Sequence, residues 1–315
     1  MAAIVPESIV PDGAVNARWD CLIVGAGPAG LTSAIYLARY RRKVLVMDAG
    51  DSRAALIPLT RNYPGFPDGV SGDELLMRLR EQLSAYDVEL RTGVVKSLSK
   101  PGSEFVAEIG HLTIYASTII LATGVADRYP QITDRRELTL DGRLRWCPIC
   151  DGFDVSDKNV AVISTPLDAL SHALFLRTYT RCLTLFVPAH AHKLGTADRR
   201  ALAAAGIPLV ETPIAKISGT VGQRAAIWLR DGNMHAFDAI YPMMGCDARS
   251  QLATGVGARV DNNGELSVSA HQCTSVPGLY AAGDVVKALN QMAVGVGHAA
   301  VAATAIHHYL PRNDR

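Results

Sequence analysis

Asp20-Cys21-Leu22-Ile23-Val24-Gly25-Ala26-Gly27-Pro28-Ala29-Gly30 is the stretch on which the fold turns. An apolar run enters a Gly-x-Gly-x-x-Gly turn and leaves as Leu31 to Tyr40 with helical apolar spacing. The chain rises again through Lys43-Val44-Leu45-Val46-Met47-Asp48. This order predicts strand, glycine turn, helix and strand, the opening of an α/β dinucleotide-binding fold. Gly25 permits the tight turn, Gly27 lets the backbone approach a pyrophosphate, and Gly30 lets helix and strand pack closely. Pro28 and Ala29 complete the same cofactor-binding turn, at a helix N-terminus that favours negative charge. Asp48, about twenty residues on, is placed to accept hydrogen bonds from an adenosine ribose. A bare glycine turn with no ligand has the same local sequence; the strand before it, the helix after it and the acid at this distance favour the ligand.

Further along, Asn62-Tyr63-Pro64-Gly65-Phe66-Pro67 reads as a loop, and Ser71 and Glu74 stand at capping-box spacing before a helix. Strand-like alternation follows around Val88 to Val95 and Phe105 to Ile109. Ala116 to Gly124 predicts a buried strand ending in the small turn Ala122-Thr123-Gly124, where a backbone can pass close to a cofactor. Gly278 to Val285 repeats the pattern of apolar strand, glycine and acid, with Gly283 and Asp284 at its end, and Gln291 to Ile306 predicts a small-residue helix.

Trp146-Cys147-Pro148-Ile149-Cys150-Asp151-Gly152-Phe153 carries two thiols separated by two residues. A structural zinc needs four ligands, and no second Cys-x-x-Cys exists, because Cys21, Cys182, Cys246 and Cys273 stand alone. No metal is expected, and the pair reads as a redox centre. One sulfur attacks a disulfide and the other resolves the mixed disulfide. The four single cysteines are expected in the core.

A chain of 315 residues predicts two domains, and 49% hydrophobic content is ample for burial. A net charge of +1 with interspersed signs provides no basic stripe for nucleic acid. Met1 to Arg18 reads as a loose arm rather than a signal peptide. The apolar run Ala293 to Ile306 is short for a membrane span and holds Gly295, Gly297 and His298. The expectation is a cytoplasmic protein without membrane or nucleic-acid partners.

Four separated motifs, Gly25 to Gly30, Ala122 to Gly124, Cys147 to Phe153 and Thr274 to Asp284, occur in an order similar to that of the low-molecular-weight thioredoxin reductases, FAD-dependent flavoproteins of the class II pyridine nucleotide-disulfide oxidoreductases. The resemblance spans Asp20 to Leu310. It implies an α/β fold of two Rossmann-like three-layer domains, the second inserted into the first. Residues 15–126 and 249–315 would form the FAD-binding domain, and 127–248 an NAD(P)H-type domain with the Cys-x-x-Cys at its start. It further implies that Asn62 approaches the flavin, Asp284 binds the ribityl or pyrophosphate region, and Gln291 and Met292 meet the isoalloxazine edge. Cys150 would face the flavin, Cys147 would attack the substrate, and Asp151 would protonate a leaving thiolate. A homodimer is implied as well, and Tyr309 in the tail is a candidate to cover the flavin.

The chain departs from this family in the inserted domain. Ser164-Thr165-Pro166-Leu167-Asp168-Ala169 stands where a second glycine-rich turn belongs, and Ser164 and Pro166 take the first two glycine positions. Pro188-Ala189-His190-Ala191-His192-Lys193 replaces the arginine clamp for the NADPH 2′-phosphate. NADPH is therefore doubtful as the donor. The expected function is an FAD-linked thiol-disulfide oxidoreductase acting on a thioredoxin-like protein or small disulfide, with a donor such as ferredoxin. The alternatives are a dithiol oxidase that discharges electrons to oxygen, and an ordinary NADPH-dependent thioredoxin reductase with an atypical site.

Overall fold

The computed structural model describes residues 18–188, 194–219 and 224–313. His190, His192 and Lys193, together with the expected domain start at residue 15, lie outside the described residues. The chain divides into two compact units, one formed by its two ends with Asp73–Ala126 between them, the other by Leu56–Gly72 and Asp127–Asp247.

In the first unit, strands Glu89–Thr92, Val44–Asp48, Arg18–Val24 and Leu112–Leu121 lie side by side and parallel. Leu112–Leu121 is long enough to serve two neighbours on its other edge. Its first half pairs antiparallel with Phe105–Ile109, which pairs with Ser97–Ser99, and its last residues pair parallel with Leu279–Ala281. Arg18–Val24 and Val44–Asp48 read as near-continuous apolar runs because both faces of a parallel sheet are covered. Leu22, Leu45, Phe105, Ile119, Leu121 and Leu279 interlock in one core, each contributing about 1.5–3 kcal/mol of burial.

Helices Pro28–Arg39 and Met292–Tyr309 pack against each other. The second turns Gly295, Ala299, Ala302, Ala303 and Ile306 inward, spaced by four and three residues. A Cβ at Gly295 would lie 3.3 Å from the Gly283 Cα and 3.7 Å from the Ala29 Cβ, so small residues set how closely the helix approaches. Its C-terminus is clasped by Arg42, which donates to His307 Nδ1 (3.1 Å), the His307 carbonyl (3.0 Å) and the Pro311 carbonyl (2.9 Å). A cation at that end also opposes the negative pole of the helix. Tyr309 lies beside Gly278, at the entrance of strand Leu279–Ala281 and away from its exit at Gly283.

The second unit has three layers. Strands Leu209–Val210, Leu183–Phe186, Val160–Ser164 and Ala239–Met243 form a parallel sheet. Side chains alternate along a strand, so Val160 and Val162 join the core with Ala173 and Leu176 of helix Ala169–Arg177. Ala161 and Ile163 face a second core with Ile217, Ile227 and Phe237. That layer is an antiparallel sheet of Ile214–Gly219, Ala225–Leu229 and Met234–Phe237. The two-domain α/β architecture inferred from sequence is thus present. The cysteine expectation is corrected in part: Cys21 is buried, but Cys182 is exposed and Cys246 and Cys273 are half-buried. Cys182 precedes strand Leu183–Phe186, where its N–H is tied to Thr180 Oγ1 and the side chain is left outside the sheet.

At Gly30 an added Cβ would lie 1.8 Å from the Gly25 carbonyl oxygen, a backbone atom with nowhere to go. Gly30→Ala is expected to lose at least the 1–3 kcal/mol typical of overpacking despite the better helix propensity of alanine, read as a fall in the apoprotein melting temperature or loss of soluble expression.

Candidate active site

The parallel strands of the first unit deliver Gly25, Asp48, Ala122 and Ala282 to one edge of the sheet, where α/β folds bind ligands. Gly25 has φ +106°, and a Cβ there would sit 2.4 Å from the Ala122 carbonyl oxygen. Gly27 is the N-cap of helix Pro28–Arg39, without a side-chain cap or an acid in the first turn. The first N–H groups of a helix have no partner within it. A Cβ on Gly27 would meet only Ser52 Oγ, at 3.4 Å, so the space outside the turn is open. The Ala26 N–H donates to Asp48 Oδ1 (3.3 Å), and Arg80 pairs with Oδ2 (3.4 Å), which fixes the carboxylate at the end of its strand.

Thr123 donates to the Arg249 carbonyl (2.7 Å), and the Arg249 N–H donates to the Gly124 carbonyl (3.0 Å). Gly283, with φ +81°, passes close to Ala29, and Asp284 pairs with Arg53 at 3.5 Å. Gln291 occupies the N-cap position of helix Met292–Tyr309 without a side-chain capping bond, and Met292 opens the helix. On that helix, His298 Nδ1 is buried with no hydrogen-bond partner among the described residues. Burial pushes its pKa down, opposed in part by Asp284. An open uncapped helix terminus, a fixed acid at the second strand and an unsatisfied buried imidazole near Asp284 fit a bound dinucleotide. Sequence reasoning missed Ser52, Arg53, Arg80 and His298. The run Asp51-Ser52-Arg53, shortly after Asp48, is the signal that was available.

In the second unit Cys147 and Cys150 form a disulfide with Cα atoms 5.3 Å apart. Cys147 caps the short helix Pro148–Asp151, with proline in its first turn, and the Cys150 N–H donates to Cys147 Sγ (3.2 Å). Both cysteines are half-buried. A Cβ at Gly152 would enter the Tyr179 ring, 2.5 Å away, which explains glycine immediately after the acid. Asp151 lies under the loop. Its Oδ1 accepts from the Tyr241 hydroxyl (2.8 Å), and its Oδ2 pairs with Arg145 (3.0 Å). Burial raises its pKa, while Arg145 and Tyr241 act in the opposite direction. Tyr241 is pushed far above the ordinary phenol range, by burial first and then by the Asp151 charge, so it stays a donor. Asn62 donates to the Ile149 carbonyl (3.4 Å), which places it beside the Cys-x-x-Cys loop within this unit. Neither Arg145 nor Tyr241 was legible as part of the site, because they reach Asp151 from a different loop and strand.

The turn after strand Val160–Ser164 is built from side chains rather than glycines. Ser164 is buried and its hydroxyl shares a 2.8 Å hydrogen bond with His172 Nδ1 on the following helix. Asp168 occupies the N-cap of that helix, and its carboxylate accepts from Thr165 (3.1 Å). A serine side chain and an acid thus lie in the turn that, in a dinucleotide-binding unit, presents backbone N–H groups.

These features define a family. Residues 19–305 match the family model of the pyridine nucleotide-disulphide oxidoreductases, and the chain belongs to that family. With its Cys147–Cys150 pair it is a flavin-dependent disulfide oxidoreductase of the thioredoxin reductase-like kind. It is 33% identical to the thioredoxin reductase of Mycolicibacterium smegmatis, over 94% of this chain and 97% of that one. Against the bifunctional thioredoxin reductase/thioredoxin of Mycobacterium leprae (strain TN) it is 31% identical, and 90% of the chain spans 64% of that longer protein. The crystal structure of thioredoxin reductase from Streptococcus pyogenes MGAS5005 superposes with a TM-score of 0.84 at 27% identity, covering 93% of this chain and 98% of that one. The resemblance inferred from four short motifs therefore holds along the chain.

Gly27→Ala separates fold from ligand. Its Cβ meets no backbone, so the melting temperature of the apoprotein should stay near wild type while the dissociation constant for FAD rises at least tenfold. A fall in melting temperature that accompanies the loss of FAD affinity would show that Gly27 serves packing instead.

Proposed function

We propose that FAD binds at Gly25 to Gly30, with Asp48 on the adenosine ribose and Asp284, Gln291 and Met292 toward the ribityl and ring portions. Bound flavin supplies a two-electron store that exchanges with the Cys147–Cys150 pair. The substrate is a thioredoxin-like protein disulfide, in keeping with the names of the relatives and with the fused thioredoxin named in one of them. The Cys147 thiolate attacks one substrate sulfur, the substrate S–S bond breaks, and the leaving thiolate takes a proton from Asp151. The Cys150 thiolate then attacks Cys147 Sγ, releases the second thiol and restores the Cys147–Cys150 disulfide. Two electrons have passed from the enzyme dithiol to the substrate. A homodimer is part of the same reading.

We further propose that the electrons come from a donor other than NADPH, a ferredoxin-type protein being one such class. The observation that carries this is the glycine-free turn at Ser164 to Asp168, with its Ser164–His172 bond and its N-cap aspartate. Charge-assisted hydrogen bonds contribute about 1.5–3 kcal/mol each. Losing two of them weakens binding by roughly two to four decades.

Anaerobic titration tests the reading. Millimolar NADPH or NADH should bleach the flavin band orders of magnitude more slowly than dithionite. The double variant Ser164→Gly, Pro166→Gly should recover little, because the arginine clamp is still absent. Rapid stoichiometric bleaching by micromolar NADPH would return the protein to the NADPH-dependent enzymes. Bleaching by a small dithiol with recolouring by oxygen would assign the reverse electron flow.

Cys150→Ser should trap substrate on Cys147 as a stable mixed disulfide, detected as a mass adduct. Trapping by Cys147→Ser instead would exchange the two roles.

A further inference from the structure

The carboxyl of Asp151 is held from both sides. Arg145 reaches Oδ2 from the segment before the cysteines, and Tyr241 reaches Oδ1 from strand Ala239–Met243. All three side chains are largely buried, with Arg145 and Asp151 16% and 19% exposed. Asp154 is the other acid nearby, 3.8 Å from Arg145, and it is itself taken by Arg61 at 3.1 Å. Arg145 is thereby left mainly to Asp151. Its Nε is anchored on the Gly142 carbonyl at 2.9 Å, so the guanidinium is fixed before the carboxyl arrives. Tyr241 is fully buried as a residue and has no hydrogen-bond acceptor among the described residues except Asp151.

We propose that Arg145 and Tyr241 are positioning residues that set the proton affinity of the exchange acid Asp151 and aim it at the sulfur leaving the Cys147–Cys150 centre. The inference rests on the role given to Asp151 above. Arg145 draws the carboxyl toward ionisation through its charge, and Tyr241 does so through its hydrogen bond; burial and the Asp154 charge work the other way. The opposition leaves an acid that can release its proton to a thiolate and then rest as a paired carboxylate. The linkage has a definite sign. Removing Arg145 or Tyr241 takes away an interaction with the charged form only, so the proton is held to higher pH. Any pH limb due to Asp151 moves upward in either direction of electron flow.

The test uses the full-length, flavin-loaded protein, reduced with dithiothreitol and desalted. Single-turnover reduction of 2-hydroxyethyl disulfide, whose alkyl thiolate needs a proton to leave, is followed from pH 5 to 10. The limb that Asp151→Asn abolishes should move up in Arg145→Met and less far in Tyr241→Phe, and Arg145→Lys should lie closer to wild type than Arg145→Met. An aromatic disulfide, whose leaving thiolate is stable at neutral pH, should show none of these shifts. Tyr241→Phe preserves shape, so it separates the hydrogen bond from packing, and the melting temperature verifies that each variant is folded. If Asp151→Asn leaves the limb in place, the assignment of Asp151 as the acid fails. If Asp151→Asn removes it while Arg145→Met and Tyr241→Phe leave the wild-type limb unmoved, the present inference fails and the assignment stands. Equal shifts with the aromatic disulfide would reduce both residues to a structural role and overturn the inference.

Discussion

Everything in the first unit follows from one contact, the passage of Gly30 over the Gly25 carbonyl. A carbon added to Gly30 would land 1.8 Å from that oxygen, and one added to Gly25 would land 2.4 Å from the Ala122 carbonyl. With both positions bare, the helix presses onto its strand and the next strand presses onto the turn. The helix N-terminus is left without a side-chain cap by Gly27, so three bare positions together give the anion-receptive backbone and the close packing. Gly283 and Gly295 extend it, letting the distant C-terminal helix come down on Ala29.

The second unit keeps the architecture and changes the chemistry at the corresponding place. Ser164 and Asp168 occupy its turn, and His172 shares a hydrogen bond with Ser164. A Rossmann-type sheet does not need its glycine turn in order to fold, because Val160 to Ser164 is buried through its own side chains. Fold and ligand are separable across folds in general. At the redox loop the balance is electrostatic instead. Burial that would neutralise Asp151 is opposed by a fixed guanidinium and a phenol.

Much of this was legible in the sequence. Periodicity and glycine spacing are local, and they marked the strand Arg18–Val24, the helix after it and the strand Phe105–Ile109. The Cys147–Cys150 pairing was legible from spacing alone. The partners of Asp151 were not, because Tyr241 is ninety residues away and reads as one more residue of a buried strand. Arg80 is likewise an ordinary polar position on an amphipathic helix until the fold brings it to Asp48. The antiparallel sheet of residues 214–237 went unread because its strands are short and its side chains alternate weakly. The exposure of Cys182 followed from its place at a strand entrance, which composition does not reveal.

The first unit is made from both ends of the chain, and this has a consequence for biosynthesis. Strand Leu279–Ala281 and helix Met292–Tyr309 are needed to finish the sheet begun at Arg18, and Arg42 holds groups more than 260 residues downstream. A ribosome adding about 5–20 residues per second therefore exposes an incomplete sheet edge for as long as the intervening segment takes to emerge. The segment Asp127–Asp247 has its own cores and parallel sheet, all local to it, and is ready to fold during that wait. The first unit closes only when helix Met292–Tyr309 leaves the exit tunnel and brings Gly295 down beside Gly283.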